Sequence, residues 1–410
     1  MVAATRLLPL PVIVLACLLL FAPATASGRA QQLVSHGGYA VTREGRLLEA
    51  RALATAFVPA STIKLVTGLA ALDILGPDYR FTTTFFVEGD TLYIRGSGDP
   101  GLTSATVAAI AADLARLGLA AVGDIALDAG AFALSGKADG TEDSANPYDT
   151  ANSALAVNYN AVAITVAADG RISSGEAETP LLPIMTEIGR RLGPGTHRVN
   201  PGAFAAAEGL SPTLRYCGEL FTVMLERQGI TVGGRIIAAA APPGAKPLHT
   251  HTSPQTVADL VRACLHYSSN YIANQLFLAC GAHELGSPAT WDKGRRALQA
   301  YIAATWPQHR RALTLVEGSG LSRRTRITPG AMIAVLHSFK PYAALLKTKN
   351  GVPLKTGSLS GVHCYAGYFR RADDLDPFVI LLNQPDNTRD QLLARLQRLH
   401  SAPRSTVGRK

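Results

Sequence analysis

Cysteine is scarce in this chain, with five residues in 410 and no two of them at C-x-x-C spacing. Histidine does not fill the gap. Only His249 and His251 sit close together, in a Pro- and Thr-rich stretch without further ligand types nearby, so a metal site is not expected. Charge is also sparse: 17% Asp, Glu, Lys and Arg against 47% hydrophobic residues, a balance that excludes a disordered chain. No block of Lys and Arg, and no basic stripe interleaved with aromatics, accompanies the formal charge of +9, which argues against nucleic acid as a partner. No internal repeat is present.

What is present bounds the organisation. At 410 residues the chain exceeds the size at which one core keeps growing, so two or more domains are expected. The positive balance favours anionic partners such as cell-wall polymers and lipid headgroups. Arg6 precedes an uncharged apolar run over 7–21, followed by Ala22-Pro23-Ala24-Thr25-Ala26 with its A-x-A spacing, so residues 1–26 read as an export signal. An uncleaved anchor is the alternative, since the stretch approaches spanning length. Cys17 lies within the run, which continues past it and so does not end as it would at a lipid-bearing cysteine. Behind the signal, Cys217, Cys264, Cys280 and Cys364 permit two disulfides in any of three pairings, or four buried thiols.

A short hairpin is expected over 38–50, then a helix opening at Ser61. Its Ile63, Val66, Leu69, Leu72 and Leu75 leave it apolar nearly all round, hence buried, and Pro77 closes it. Residues 77–247 mix short strands with Ala-rich helix and carry Pro- and Gly-rich breaks near 192–202 and 242–247. They read as inserted material divided into two smaller α/β domains. A helical pattern resumes over 257–265, breaks at 268–270 and continues over 271–280. Strand candidates follow at 352–355, 362–369 and 378–383. The last helix, 389–399, aligns Leu392, Leu393, Leu396 and Leu399; packing on the sheet is the expected use of that stripe, ahead of a loose association with a membrane surface. Residues 27–76 and 248–400 thus form one discontinuous domain, and 401–410 a disordered tail.

Three strings carry chemistry, in this order: Ser61-Thr62-Ile63-Lys64, Ser268-Ser269-Asn270 and Lys355-Thr356-Gly357. Each alone is weak. An S-x-x-K arises about once by chance in a chain of this length. Ser144-Ala145-Asn146 copies the form of the second string but sits in a polar, Pro-containing stretch, and a lone K-T-G reads as a turn at a sheet edge. Together they supply a nucleophilic hydroxyl, a lysine one turn away to take its proton, a polar pair to relay it and a cation for a carboxylate. The lysine acts as a base only when neutral, so its pKa must fall from about 10.4 towards roughly 7–8. Gly357 allows close backbone approach, and the Ser358 N–H with that of Ser61 would make an oxyanion hole.

One other string competes. Gly96-Ser97-Gly98-Asp99-Pro100-Gly101 lies between a strand and a helix and has the spacing of a dinucleotide loop, with Asp124 and Asp128 further on. Pro100 removes a donor from the would-be phosphate loop, and no doubly wound continuation follows, so a tight structural loop is the better reading.

The ordered trio matches the signature of penicillin-recognising serine hydrolases. The likeness extends to Pro59-Ala60-Ser61-Thr62-Ile63-Lys64-Leu65, Leu102-Thr103-Ser104, Gly123-Asp124-Ile125, Ser153-Ala154-Leu155-Ala156-Val157-Asn158, Gly318-Ser319-Gly320-Leu321-Ser322-Arg323 and Lys355-Thr356-Gly357-Ser358-Leu359-Ser360-Gly361. In these segments, which span nearly all of the mature chain, the sequence resembles the D-alanyl-D-alanine carboxypeptidases/endopeptidases of the low-molecular-mass class C penicillin-binding proteins, peptidase family S13. The resemblance implies an α/β (α+β) fold: a transpeptidase/β-lactamase-like core with an antiparallel sheet flanked by helices, plus inserted α/β domains. It implies that the glycine-rich loop binds no nucleotide and that no cofactor is used. It further implies that Ser61 attacks the carbonyl of the penultimate D-alanine with Lys64 as base. Ser268, linked with Lys355, returns the proton to the leaving amine, Asn270 orients the peptide, and Thr356 and Lys355 hold the terminal carboxylate before water completes hydrolysis. The expected partners are peptidoglycan stem peptides ending in D-Ala-D-Ala and β-lactams, and the expected location is the periplasm or the cell envelope. Two departures stand out: the insertion is short for the family, and Ser269 occupies a position where relatives often carry Asp or Asn. A β-lactamase-like hydrolase and a non-catalytic peptidoglycan-binding protein are the alternatives.

Overall fold

The computed structural model describes residues 33–204, 209–372 and 374–402. The expected export signal, with Cys17, lies outside these residues, as does most of the expected tail. The last helix runs through Ser401.

Apolar segments at the two ends of the chain build one six-stranded antiparallel sheet, in the order Thr348–Lys349, Val352–Leu359, Val362–Arg371, Asp374–Leu382, Gly37–Arg43 and Arg46–Arg51. The first strand of the chain pairs with the last, Tyr39 opposite Ile380. Both faces of the sheet are covered. On one, Tyr39, Val41, Tyr365 and Ile380 pack with Leu392, Leu393 and Leu396 of the Arg389–Ser401 helix. The sheet thus takes up most of the leucine stripe, with Leu399 half-buried at its end. On the other face, Ala40, Ala366, Val379 and Leu381 meet a helical layer containing Leu65, Leu276 and Met332. At the centre of that layer the Lys64–Ile74 helix is buried from Lys64 to Leu72, as an all-round apolar helix must be. Gly68 lets the Val257–Tyr267 helix approach closely, since a Cβ there would lie 3.0 Å from Val261 Cγ1.

The intervening segment has its own hydrophobic cluster, which includes Phe85, Ile94, Ile110, Val162, Ile164, Tyr216 and Phe221. That cluster spans both a five-stranded mixed sheet and the three-stranded sheet of Ile172–Ser174, Val162–Val166 and Gly195–Val199. Where the Pro- and Gly-rich breaks suggest two units, a single core joins them. The boundary at 248 also moves: His249–Thr252 pairs with 82–85 as an edge strand of the five-stranded sheet. Its His-Thr-His-Thr sequence carries no apolar alternation to signal a strand. Among the described residues no helix is long and apolar enough to cross a membrane, and no three His, Cys, Asp or Glu converge on a metal position.

Cys217, Cys264, Cys280 and Cys364 are buried free thiols. Burial pushes the Cys364 thiol up to about 12 and the others upward too. These four should therefore resist Ellman's reagent in the native protein and titrate after denaturation, and reductant should leave the melting temperature unchanged. Fewer than four thiols in the denatured chain would contradict this arrangement.

Candidate active site

The nucleophile turn comes first. Ala60–Ile63 is a 3₁₀ turn that runs into the Lys64–Ile74 helix, so Ser61 precedes the α-helix by three residues instead of opening it. Ala60 is held at φ +46°, a left-handed conformation that costs a non-glycine residue about 1–2 kcal/mol. Gly320, at φ +85°, packs against the Ala60 carbonyl; a Cβ there would sit 2.1 Å from that oxygen.

Lys64 is fully buried. Its Nζ lies 2.8 Å from Ser61 Oγ, 2.8 Å from Asn270 Oδ1 and 2.6 Å from the Ser319 carbonyl. A neutral amine has two N–H donors and one lone pair. Donation to Asn270 and Ser319 therefore leaves the lone pair for the Ser61 hydroxyl. Burial lowers the Lys64 pKa to about 8, well below that of a free lysine.

The second string sits at a sharp break. Ser268 ends the Val257–Tyr267 helix at φ +57°, and Ser269 caps the Asn270–Leu285 helix by accepting from Ile272 N at 3.2 Å. Asp and Asn cap helices equally well, so either would serve in that middle position. Ser268 Oγ meets Lys355 Nζ at 2.8 Å, and the same nitrogen donates to the Thr356 carbonyl at 2.8 Å. Lys355 is buried and depressed to about 7, by desolvation first and by the charge of Lys64 second.

The sequence suggests a strand ending at Lys355. The strand instead continues through Leu359, so Lys355-Thr356-Gly357 lies inside it, with Thr356 exposed. A Cβ on Gly357 would lie 2.7 Å from the Pro59 carbonyl and 3.1 Å from Ser61 N, so the strand backbone runs hard against the nucleophile turn. The Ser358 hydroxyl accepts from Arg389 Nη1 at 2.7 Å, and the Gly357 carbonyl accepts from it at 3.1 Å.

Thus the first two strings line one cleft of about 480 Å3, at Ser61, Ser268 and Asn270, together with Ser358, Tyr148 and Arg323, and the third string joins them through Lys355 on Ser268 and Gly357 against Ser61. Several supports were not legible in the sequence. Buried Glu317 accepts from the backbone N–H groups of Ser319, Gly320 and Ser322 and from the Ser319 hydroxyl, fixing the loop whose carbonyl holds Lys64. Asn274 anchors the same loop through Gly318 N at 2.7 Å. Asn270 also donates to the Tyr148 carbonyl at 3.3 Å. The look-alike string is spent on its own loop, where Ser144 donates to Asp149 Oδ2 at 2.5 Å. The glycine-rich loop is filled by protein: Gly98 N donates to the Ala154 carbonyl at 2.7 Å, and the Phe132 ring crowds its Cα. No phosphate cradle remains there.

Comparisons with known proteins agree with this assembly. The chain is 27% identical over 440 residues to the D-alanyl-D-alanine carboxypeptidase of Actinomadura sp. (strain R39), covering 88% of this chain and 81% of that one. It is 26% identical over 379 residues to the D-alanyl-D-alanine carboxypeptidase DacB of Haemophilus influenzae, covering 78% of each. The crystal structure of penicillin binding protein 4 from that organism superposes with a TM-score of 0.72 at 20% identity, over 91% of this chain and 97% of that one, and so shares the fold. The family model of the D-Ala-D-Ala carboxypeptidase 3 (S13) family matches residues 36–189 and 204–354. With a family match over most of its length and the trio brought together, the chain belongs to the D-Ala-D-Ala carboxypeptidase 3 (S13) family.

Proposed function

We propose that Ser61 is the acylated nucleophile of this serine DD-peptidase, which acts on peptidoglycan stem peptides ending in D-Ala-D-Ala. The observation that carries the assignment is Lys64, whose two other hydrogen-bond positions are filled and whose remaining one faces Ser61 Oγ at 2.8 Å. Neutral Lys64 takes the hydroxyl proton as Oγ bonds to the carbonyl carbon of the penultimate D-alanine. The oxyanion forms between the N–H groups of Ser61 and Ser358, which the tight packing of Gly357 brings together. Ser268, joined to Lys355, passes a proton to the nitrogen as the C–N bond breaks. Thr356 and Lys355 hold the leaving carboxylate, and Asn270 orients the donor peptide. Water then cleaves the acyl-enzyme.

β-Lactams enter by the same chemistry. The Haemophilus penicillin binding protein 4 has been solved with a bound β-lactam, and a similar Bdellovibrio bacteriovorus endopeptidase in a penicillin G-acylated form. The expected export signal supports a location in the periplasm or cell envelope, where its substrate lies.

Intact mass after incubation with benzylpenicillin should show a stable adduct on the wild type and none on Ser61→Ala. Turnover of a D-Ala-D-Ala substrate by that variant should fall about 10^4-fold or more. Rapid penicillin hydrolysis without an adduct would mean a β-lactamase, and neither adduct nor hydrolysis a disarmed site.

Because burial favours the neutral amine, the Lys64–Lys355 pair loses a proton over about pH 7–8. The rate constant for acylation should rise with pH across that window. A rate that is flat there and climbs only near pH ~10 would exclude a desolvated lysine base.

Gly357→Ala must push the strand away from Pro59 and Ser61. Acylation should slow about 10^2-fold while the protein stays folded by circular dichroism. Wild-type acylation by a folded variant would contradict the tight contact.

A further inference from the structure

Thr356 follows Lys355, which bonds Ser268 in the cleft, and precedes Gly357, which packs on Ser61. Thr356 also lines a second hollow, of about 430 Å3, between the end of the Val257–Tyr267 helix, at Leu265 and His266, and the arm 347–350, with Leu354 beside it. Asn350 and Gly351, both at positive φ, form the two-residue turn of a tight hairpin that pairs Lys349 with Val352 and Thr348 with Pro353. The arm covers the outer edge of the Val352–Leu359 strand only as far as Leu354, whose N–H donates to the Lys347 carbonyl at 3.0 Å. From Lys355 onward that edge has no strand partner among the described residues, so an extended peptide can add to it. With the acyl carbon at Ser61 and the leaving carboxylate at Thr356, the leaving group enters the hollow between His266 and Lys347.

Free D-alanine has only a methyl group to place there and leaves most of 430 Å3 unused. The lining is basic. Lys349 is held by Asp390 at 2.8 Å and by the Tyr365 hydroxyl at 2.5 Å. Lys347 is exposed and has no acidic partner among the described residues. His266 Nε2 is buried without a hydrogen-bond partner. The hollow therefore offers a cation beyond what one carboxylate at Thr356 requires.

We propose that this hollow selects the leaving group by charge, with Lys347 as a specificity residue that reads a second carboxylate on the leaving side. Its ligand is the acceptor stem of a cross-linked muropeptide, an amine-side peptide bearing further carboxylates. This rests on the serine-peptidase reading. The bond changes are those already given: the amide C–N bond breaks, the acceptor nitrogen leaves as an amine with its proton, and the donor acyl group stays on Ser61 until water adds.

The test uses two cross-linked muropeptide dimers that both keep the carboxylate next to the scissile nitrogen, one with the remaining acceptor-stem carboxylates free and one with them amidated. The ratio of their kcat/KM values is measured for the wild type, for Lys347→Glu, and for Lys246→Glu, which makes the same charge change in the exposed loop near 242–247. Wild type and Lys246→Glu should favour the free acid by roughly five-fold, and Lys347→Glu should erase that preference. Benzylpenicillin acylation, measured on each protein, reports whether Ser61 is intact. A wild-type ratio near one, or an unchanged preference in Lys347→Glu with normal acylation, overturns the subsite alone. Absence of acylation in the wild type overturns the peptidase reading beneath it.

Discussion

The amino group of Lys64 is fully buried, and among the described residues no carboxylate bonds to it. A buried ammonium without a counterion is costly, and the cost is relieved by giving up the proton. That pressure is useful here because a neutral amine is what the nucleophile needs. Its three partners come from three distant segments: the 3₁₀ turn, the second helix break and the loop after Glu317. The Glu317 carboxylate stays one layer back, spending its oxygens on backbone N–H groups. It braces the loop without neutralising the lysine by contact. A carboxylate bonded directly to Lys64 would favour the ammonium and silence the base.

The intervening segment is more than cargo between two halves of a catalytic domain. The Asn270–Leu285 helix is gripped from its side. Gln275 donates to the Gly98 and Ser153 carbonyls, Asn152 donates to the Tyr271 carbonyl, and Tyr148 receives a bond from Asn270 itself. The glycine-rich loop with the look of a phosphate cradle is thus a socket for a glutamine of the catalytic helix. Asn270 therefore has partners on both sides, Lys64 in the catalytic core and the Tyr148 carbonyl in the intervening segment.

What could be read from the sequence follows the range of the forces involved. The serine–lysine spacing, the hairpin at the start and the three terminal strands are local patterns, and each element is present, although the first of those strands runs on to Leu359 and the last begins at Asp374. Ser268 could be told from Ser144 because apolar helical residues flank it on both sides. Glu317, Asn274 and Arg389 were invisible: each acts on backbone or side chains brought close only by the tertiary fold, and a lone Glu or Arg has no local signature. His249–Thr252 escaped because its strand is recruited by an exposed edge, not by its own apolar residues. The unity of the inserted core escaped for a related reason. Proline and glycine mark where the chain turns, not whether the pieces on either side share an interior.

The pairing of the first strand with the last has a temporal consequence. The inserted core is made from a continuous stretch of chain and needs nothing outside it to begin collapsing, whereas the catalytic sheet cannot close until Asp374–Leu382 exists to receive Gly37–Arg43. Closing so long a loop is slow and comes late. The hydroxyl, its lysine and the strand beside them therefore come together only at the end of folding, so an unfinished chain carries no working hydrolase.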